Sequence, residues 1–228
     1  MRILFLSFIL LSIINGAEIA TIEKIVGKVK VLKANELRAK NAKLNQILFK
    51  DDLLITYKDA MTTIKLDDNS LITLAEKTKL RVLHSKELKQ EEGKIFYNIE
   101  TQGKNTMAVV TNFATIGVKG TTFIINDMQE QKDVSLKTGL VGVSALEGEF
   151  EIHKKKEVQL SEYEKYKLAQ ENDFDNYKTK IEEEFIEYKK EFDLHPNYTI
   201  SFNGNVVKEN KTKNDINTEF EEFENFQK

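Results

Sequence analysis

The chain has 228 residues, with 34 lysines and arginines, 37 aspartates and glutamates, three histidines and no cysteine. This length suits one or two domains, and a hydrophobic fraction of 40% supports an ordinary globular core. The lack of cysteine excludes disulfides, thiolate metal sites and thiol nucleophiles, and the net charge of −3 gives no reason to expect a nucleic-acid partner. We therefore expect a protein without a cofactor and without enzymatic activity.

The N-terminus has the pattern of a secretory signal peptide, assigned to residues 1–17. Arg2 precedes an apolar run over residues 3–14, and Asn15-Gly16-Ala17 follows it. The run is shorter than the ~20 residues that a membrane helix needs. We predict cleavage after Ala17 and a mature chain in the periplasm or at the cell surface, with no membrane insertion afterwards. An uncleaved anchor or a buried first strand is the alternative.

Residues 18–160 have the pattern of an all-β domain. Short runs alternate apolar and polar residues and are separated by turn residues such as Asp67-Asp68-Asn69. Many short strands without a long helical pattern favour a β-solenoid, a sandwich or a barrel over a parallel βαβ fold. We predict strands at 25–33, 53–56, 61–66, 70–74, 79–83, 94–99, 107–111, 121–125, 134–137, 140–146 and 149–153.

A long amphipathic helix is predicted over residues 161–194. Ser161 followed by Glu164 is a capping-box signature, and Pro196 disfavours helical geometry in the residue before it. Apolar and aromatic residues recur with an eleven-residue period, which places them in one stripe along a nearly straight helix. The stripe is a candidate interaction surface made of Tyr163, Tyr166, Phe174, Tyr177, Ile181, Phe185, Tyr188 and Phe192.

Three ways of covering this stripe are open. Packing against the β domain of its own chain predicts a monomer, and this is the arrangement that we favour. Pairing with another helix would instead give a complex with a partner or a helix-mediated oligomer. A membrane surface is the least favoured, because residues 161–193 carry eleven acidic residues and only six lysines.

Residues 195–210 are predicted to form a β-hairpin with Asn203-Gly204 as its two-residue turn. That turn places Phe202 opposite Asn205, and Ile200 opposite Val207. Because an isolated hairpin is marginal in water, we expect it to dock on the main sheet or beside the helix. Residues 211–228 form an acidic tail with three phenylalanines, which is either mobile or a short helix.

Several residues could be mistaken for metal-binding or phosphate-binding sites, but their sequence context favours turns and loops. Asp51-Asp52 and Asp67-Asp68 lie between apolar alternations, where aspartate commonly forms turns, and neither pair has the spacing of a calcium loop. The basic residues 154–156 are predicted to form a solvated loop. Gly117 and Gly120 are too few for a phosphate-binding loop, and strand residues follow them.

Five segments resemble, in order, the pattern of the FecR domain, the periplasmic module named after the iron-dicitrate regulator. They are IVGKVKVL (25–32), LFKDDLLIT (48–56), TTIKLDDNSLITL (62–74), TNFATIGVKGTTF (111–123) and LKTGLVGVSAL (136–146). The residues that match the motif positions are Gly27, Asp51, Thr56, Asp68, Asn69, Ser70, Gly117, Lys119, Gly120, Thr121 and Phe123. Asn69 and Lys119 stand where the family has glycine and arginine, and Lys119 lacks the two-pronged donor of arginine.

The resemblance implies an all-β, solenoid-like fold and a role in binding and signalling. Full-length regulators of the family carry a cytoplasmic anti-sigma segment and a membrane helix, for which this sequence shows no counterpart, so we expect no direct control of a sigma factor. The leading hypothesis is an exported, non-enzymatic module that binds an envelope protein. The alternative is a module that binds an envelope glycan or a small ligand, although the chain has no tryptophan on which a sugar ring could stack.

The resemblance also gives an expectation for the core around Gly120. We expect Gly120 to lie where the backbone or close packing excludes a Cβ atom, with Val118 and Phe123 pointing inward beside it.

Overall fold

The computed structural model describes residues 17–100, 107–157 and 182–228. Within these ranges the chain forms 17 strands and one α-helix, so the prediction of a mainly β protein is confirmed. The predicted signal peptide, except for Ala17, lies outside the described residues. The solenoid or sandwich arrangement stays a prediction.

The strands cover most of the described residues. The first nine are β1 (Ala20–Val26), β2 (Val29–Leu32), β3 (Lys40–Asn41), β4 (Ile47–Leu48), β5 (Leu53–Thr56), β6 (Met61–Leu66), β7 (Leu71–Leu74), β8 (Lys79–His84) and β9 (Glu87–Asn98). The next eight are β10 (Met107–Val110), β11 (Thr115–Met128), β12 (Gln131–Ser144), β13 (Phe150–Glu157), β14 (Glu182–Lys189), β15 (Glu191–Leu194), β16 (Tyr198–Asn203) and β17 (Val206–Lys211). The helix α1 spans Asn214–Gln227.

Six strands form a continuous antiparallel sheet in the order β1, β6, β7, β9, β11 and β12. Side chains alternate between the two faces of a strand, so each of these strands contributes to both faces. On β9, Ile95 and Tyr97 belong to the main hydrophobic core, whereas Phe96 belongs to a separate cluster on the opposite face. This sheet therefore has apolar side chains to bury on both faces.

Strand β9 is shared by two groups of strands. Its residues 93–98 pair with β11, whereas its residues 87–92 pair with β8, which in turn pairs with β5. At the change of partner Gly93 has a φ of +98°, and Gln90 Nε2 donates to the Gly93 carbonyl at 2.7 Å. Strand β9 therefore connects the strands β8 and β5 to the six-stranded sheet, and both groups contribute to the same core.

The C-terminal strands continue the same hydrogen-bonded network. On the edge of β12 that does not face β11, residues 133–136 pair with β16 and residues 141–144 pair with β15. Strand β13 pairs with β14 and with β17. Phe150, Phe192, Ile200 and Val207 lie in the same core cluster as Ile22 and Phe123.

The predicted helix over 161–194 is wrong for the part that the structure describes. Residues 158–181 lie outside the described residues, but residues 182–189 and 191–194 are the strands β14 and β15. The segment Glu191–Leu194 alternates, with Phe192 and Leu194 buried and the two acidic residues exposed. Its pairing with β12 is a long-range interaction, which overrides a local helical pattern.

The loop predicted for residues 154–156 is also wrong, because β13 continues through Glu157. The β13–β14 register sets Lys155 opposite Glu184 and Lys156 opposite Glu183. The lysines come nearly thirty residues before the glutamates, so only the folded chain brings the two runs together.

The hairpin is confirmed, but its predicted register is wrong by one residue. Strands β16 and β17 pair with Asn203 opposite Val206, and Phe202 lies opposite Val207. The turn is therefore Gly204-Asn205, with a φ of +59° at Gly204. Glycine at the first of the two turn positions is typical of a type II′ turn, and this choice buries both Phe202 and Val207.

The acidic tail predicted over 211–228 is mainly the ordered helix α1. It follows β17 after residues 212–213, and its Phe220 and Phe223 are buried. Of the two predicted alternatives, a mobile tail or a short helix, the structure shows the helix. The local sequence does not indicate which surface covers its phenylalanines.

Candidate interaction surface

Six of the eleven residues of the FecR pattern lie on the strands β5 and β11, and the other five lie between strands. Gly27, Asp51, Asn69 and Gly120 all have a positive φ, between 60° and 71°. This left-handed region is costly for most residues and is used by glycine, asparagine and aspartate at turns. The motif residues therefore shape the backbone, and they do not converge on one pocket.

The environment of Gly120 agrees with the expectation from the sequence. Its φ is +60°, and the β11–β12 register shifts between Lys119 and Thr122, which marks an irregularity in the ladder. Val118 and Phe123 are buried on either side, and the Phe123 ring stacks on Tyr97 with centroids 4.7 Å apart. Lys119 is exposed.

Side chains of two other motif segments, 48–56 and 62–74, form hydrogen bonds that hold turns to neighbouring parts of the chain. The Asp52 carboxylate accepts hydrogen bonds from the Phe49 amide at 2.9 Å and from Lys33 Nζ at 2.6 Å. Thr56 Oγ1 accepts from the Thr78 amide at 2.9 Å. Ser70 Oγ accepts from the Glu100 amide at 3.0 Å, and the Ser70 amide donates to Asp68 Oδ1 at 2.9 Å. Buried polar groups satisfied in this way hold the loops in place.

Asp127 is a buried carboxyl that the sequence analysis missed. It is 4% exposed at the end of β11, and its Oδ2 accepts a hydrogen bond from the Asn112 amide at 3.2 Å. Burial raises its pKa, which the Asn112 amide only partly opposes. An aspartate inside an alternating run looks solvent-facing in the sequence, so no local signal indicates that it is buried.

The described part of the aromatic stripe does not form one surface. Tyr188 on β14 is 65% exposed, whereas Phe192 on β15 is 8% exposed and packs edge-on against Phe150, with centroids 5.7 Å apart. Phe185 lies on β14. The other stripe residues, Tyr163, Tyr166, Phe174, Tyr177 and Ile181, lie outside the described residues, and their role in binding stays a prediction.

Among the described residues, a second apolar cluster, separate from the main core, lies under α1. The helix packs on the six-stranded sheet, and four apolar side chains from the sheet side belong to this cluster or pack against it. We call this surface the α1 groove. It is lined by Met61 on β6, Ala75 after β7, Phe96 on β9 and Ile124 on β11.

Two phenylalanines of α1 fill the α1 groove. Phe223 stacks on Phe96 with an interplanar angle of 3° and centroids 5.4 Å apart, and Phe220 meets the same ring edge-on at 6.1 Å. Both arrangements are favourable for aromatic pairs. These residues and Ile124 form a hydrophobic cluster that is distinct from the main core.

Three lysines surround the α1 groove and contact the acidic helix. Lys94 Nζ lies 2.8 Å from both carboxylate oxygens of Glu219, and Lys137 Nζ lies 2.6 Å from Glu224 Oε1. Lys24 Nζ donates to the carbonyl of Phe226 at 2.9 Å, near the end of the helix. The helix has five acidic residues and no basic one, so its charge is complementary to this rim.

The described residues offer open cavities and no metal site. A cavity of about 650 Å³ lies between the β11–β12 turn, the hairpin and the start of α1, with Lys132, Asp133, Ser201 and Lys213 among its lining residues. In the described ranges, no three histidine, aspartate or glutamate side chains come close enough to hold a metal ion. The helix in this part of the chain is not long and apolar enough to span a membrane.

The chain was compared with known proteins and structures. Residues 52–142 match the family described as FecR protein. Two crystal structures of a proposed anti-sigma factor from Parabacteroides distasonis are similar to the chain at 18% identity. One covers 71% of this chain with a TM-score of 0.47, and the other covers 70% with a TM-score of 0.46. The chain spans 60% and 58% of those chains, and no curated protein matches it.

Proposed function

We propose, from the premise that residues 52–142 are a FecR domain, that the chain is an exported, non-enzymatic module that binds a protein partner in envelope signalling. The matched segment runs from the start of β5 nearly to the end of β12. It contributes β6, β7, β9 and β11, the four strands that form the floor of the α1 groove. The FecR match carries this proposal, because the family resemblance implies binding and signalling.

The apolar cluster that α1 covers supports a protein as the ligand. Helix-in-groove recognition uses apolar anchors on one face of a helix and a complementary groove, and the α1 groove already holds such a helix from the same chain. The polar cavity beside the hairpin is the feature that would suit the alternative ligand, a glycan or small molecule.

A binding experiment with envelope extract separates these two ligand classes. The purified mature chain is immobilised, and saturable binding is measured with extract before and after protease treatment. We expect protease treatment to abolish binding and isolated envelope glycan not to compete. Binding that survives protease and is competed by glycan would contradict the proposal and favour the alternative.

Export is tested separately. The mass of the protein recovered from the envelope fraction of its host is expected to lack residues 1–17. A full-length mass, or recovery only from the cytoplasm, would contradict export.

A further inference from the structure

The α1 helix is attached to the rest of the molecule in a way that suits reversible docking. Its buried phenylalanines belong to a cluster separate from the main core, so their removal leaves the main core closed. The helix is joined to β17 by the two-residue connection 212–213. Besides its small apolar cluster and its ion pairs, the helix is held near its C-terminal end by two polar contacts. Lys24 Nζ donates to the Phe226 carbonyl at 2.9 Å, and Gln227 Nε2 donates to Thr73 Oγ1 at 3.0 Å.

The helix also has few stabilising features of its own. Its N-cap residue Lys213 makes no side-chain capping bond, and its last turn has no basic residue to complement the helix dipole. Its ion pairs, Lys94–Glu219 and Lys137–Glu224, are each about a quarter to a third exposed, and such pairs contribute little. Elements with these properties open at a lower free energy than the core of a protein.

We infer that the α1 groove is the docking site for an acidic amphipathic helix of a partner protein, and that α1 is its resident occupant in the absence of that partner. This inference rests on the proposed function and names the chemistry of its partner. The partner helix carries two aromatic residues three positions apart, as Phe220 and Phe223 are, with carboxylates that reach Lys94 and Lys137. The three lysines on the rim select an acidic helix over a basic one.

The short connection to β17 argues against a second copy as the occupant. Two residues span at most about 7 Å, so an exchanged α1 could reach a neighbour's groove only if the two chains packed closely around that connection. A partner helix has no such restriction. It competes with α1, whose attachment gives it an effective concentration in the millimolar range for short flexible linkers.

A labelled peptide tests the inference directly. A fluorescein-labelled peptide of residues 214–228 is titrated into the full chain and into the full chain carrying Phe220→Asp and Phe223→Asp, with anisotropy as the readout. We expect saturable binding to the variant and binding at least about tenfold weaker to the wild type, because α1 occupies the wild-type groove. A second chain with Glu219→Lys and Glu224→Lys places like charges against Lys94 and Lys137, and this repulsion is expected to weaken the docking of α1. It keeps the test valid if the aspartate variant fails to fold.

Paired substitutions in the peptide and in the chain test whether the peptide binds in the α1 groove. A peptide with Phe223→Ala is expected to lose at least about tenfold in affinity, the effect of a buried aromatic anchor. A peptide with Glu221→Gln and Glu222→Gln, which changes two exposed residues, is expected to bind like the unmodified peptide. Adding Lys94→Glu to the groove variant weakens binding, and Glu219→Lys in the peptide restores it.

Three results would overturn the inference: no peptide binding to either released variant, equal binding of the Phe223→Ala peptide, or dimers of the released variants in light scattering. The proposed function is judged by other data, because it depends on the envelope-extract experiment. A chain that keeps its protein partner but rejects the peptide would leave the proposed function standing and exclude the α1 groove as its site.

Discussion

Gly120 shows how single residues of the FecR pattern act on the backbone. With a φ of +60°, any side chain at this position adopts the left-handed conformation. Gly117, three residues earlier on the same strand, has no positive φ, and a Cβ atom there would meet only the Gly142 carbonyl oxygen at 3.8 Å. The backbone conformation therefore requires glycine at position 120, whereas position 117 can accommodate a Cβ atom.

We predict that Gly120→Ala lowers the stability of the protein by about 1–2 kcal/mol, the cost of the left-handed conformation for a residue with a Cβ atom. In a thermal melt this corresponds to a fall of roughly 2–8 °C for a protein of this size. Gly117→Ala is the control and is expected to change the melting temperature by less than about 2 °C. Equal effects at the two positions would show that the backbone of Gly120 is not the reason for its glycine.

The buried carboxyl of Asp127 gives the protein a pH-dependent element. Because burial raises its pKa above the ordinary value of 3.8, the folded protein holds this proton where the unfolded chain has released it. Its contribution to stability is therefore complete below the ordinary pKa and is lost as the pH rises through the raised pKa.

Asp127→Asn is predicted to remove this dependence, because an amide oxygen can still accept the hydrogen bond from the Asn112 amide. The melting temperature of the variant relative to wild type is expected to rise as the pH is increased from below the ordinary carboxyl value of 3.8 through the raised pKa. The exposed Asp59→Asn serves as the control and is expected to show no such trend. A flat difference for Asp127→Asn would contradict the assignment of a raised pKa.

At the scale of elements, strands with a strong alternating pattern could be predicted from the sequence. Conformations that depend on pairing with distant segments could not. The predicted strands at 53–56 and 61–66 have the bounds of β5 and β6, because turn residues delimit them locally. The segment 182–194 carries both a helical and an alternating pattern, and its conformation depends on pairing with β12 and β13. The α1 groove was equally hidden, since Phe96 and Ile124 look like ordinary strand residues until the helix lies on them.

Tyr188 and Phe192 distinguish strands from a helix at this position. On a helix they would share one face, and alanine at either site would cost a similar amount. The strands predict that Phe192→Ala costs about 3–5 kcal/mol, as for a buried phenylalanine, and that Tyr188→Ala stays within about 0.5 kcal/mol. Chemical denaturation of the two variants measures both values, and comparable losses would favour the helix.

At the scale of the whole molecule, the N-terminal and C-terminal strands share one core. Strand β12 belongs to the FecR match for most of its length, yet its other edge pairs with β15 and β16, which lie outside the match. The main core contains residues of the matched segment and C-terminal residues, among them Phe150, Phe192, Ile200 and Val207.

We predict that the purified mature chain is a monomer whose main core unfolds in one cooperative transition. Calorimetry is expected to give equal calorimetric and van't Hoff enthalpies, the test of two-state behaviour, while light scattering gives the monomer mass. Two separate transitions would mean that the C-terminal strands fold independently of the FecR strands. A stable dimer would contradict the monomer.

We expect α1 to leave the six-stranded sheet while the main core stays folded. Because the chain has no cysteine, Ile124→Cys and Ile125→Cys each introduce a single thiol, the first under α1 and the second in the main core of the same strand. The rate of thiol labelling measures how often each site opens. We predict that Ile124→Cys reacts much faster than Ile125→Cys, and that adding Phe220→Asp and Phe223→Asp accelerates only the former. Equal rates with the same dependence on denaturant would show that α1 detaches only when the whole protein unfolds, and would contradict this expectation.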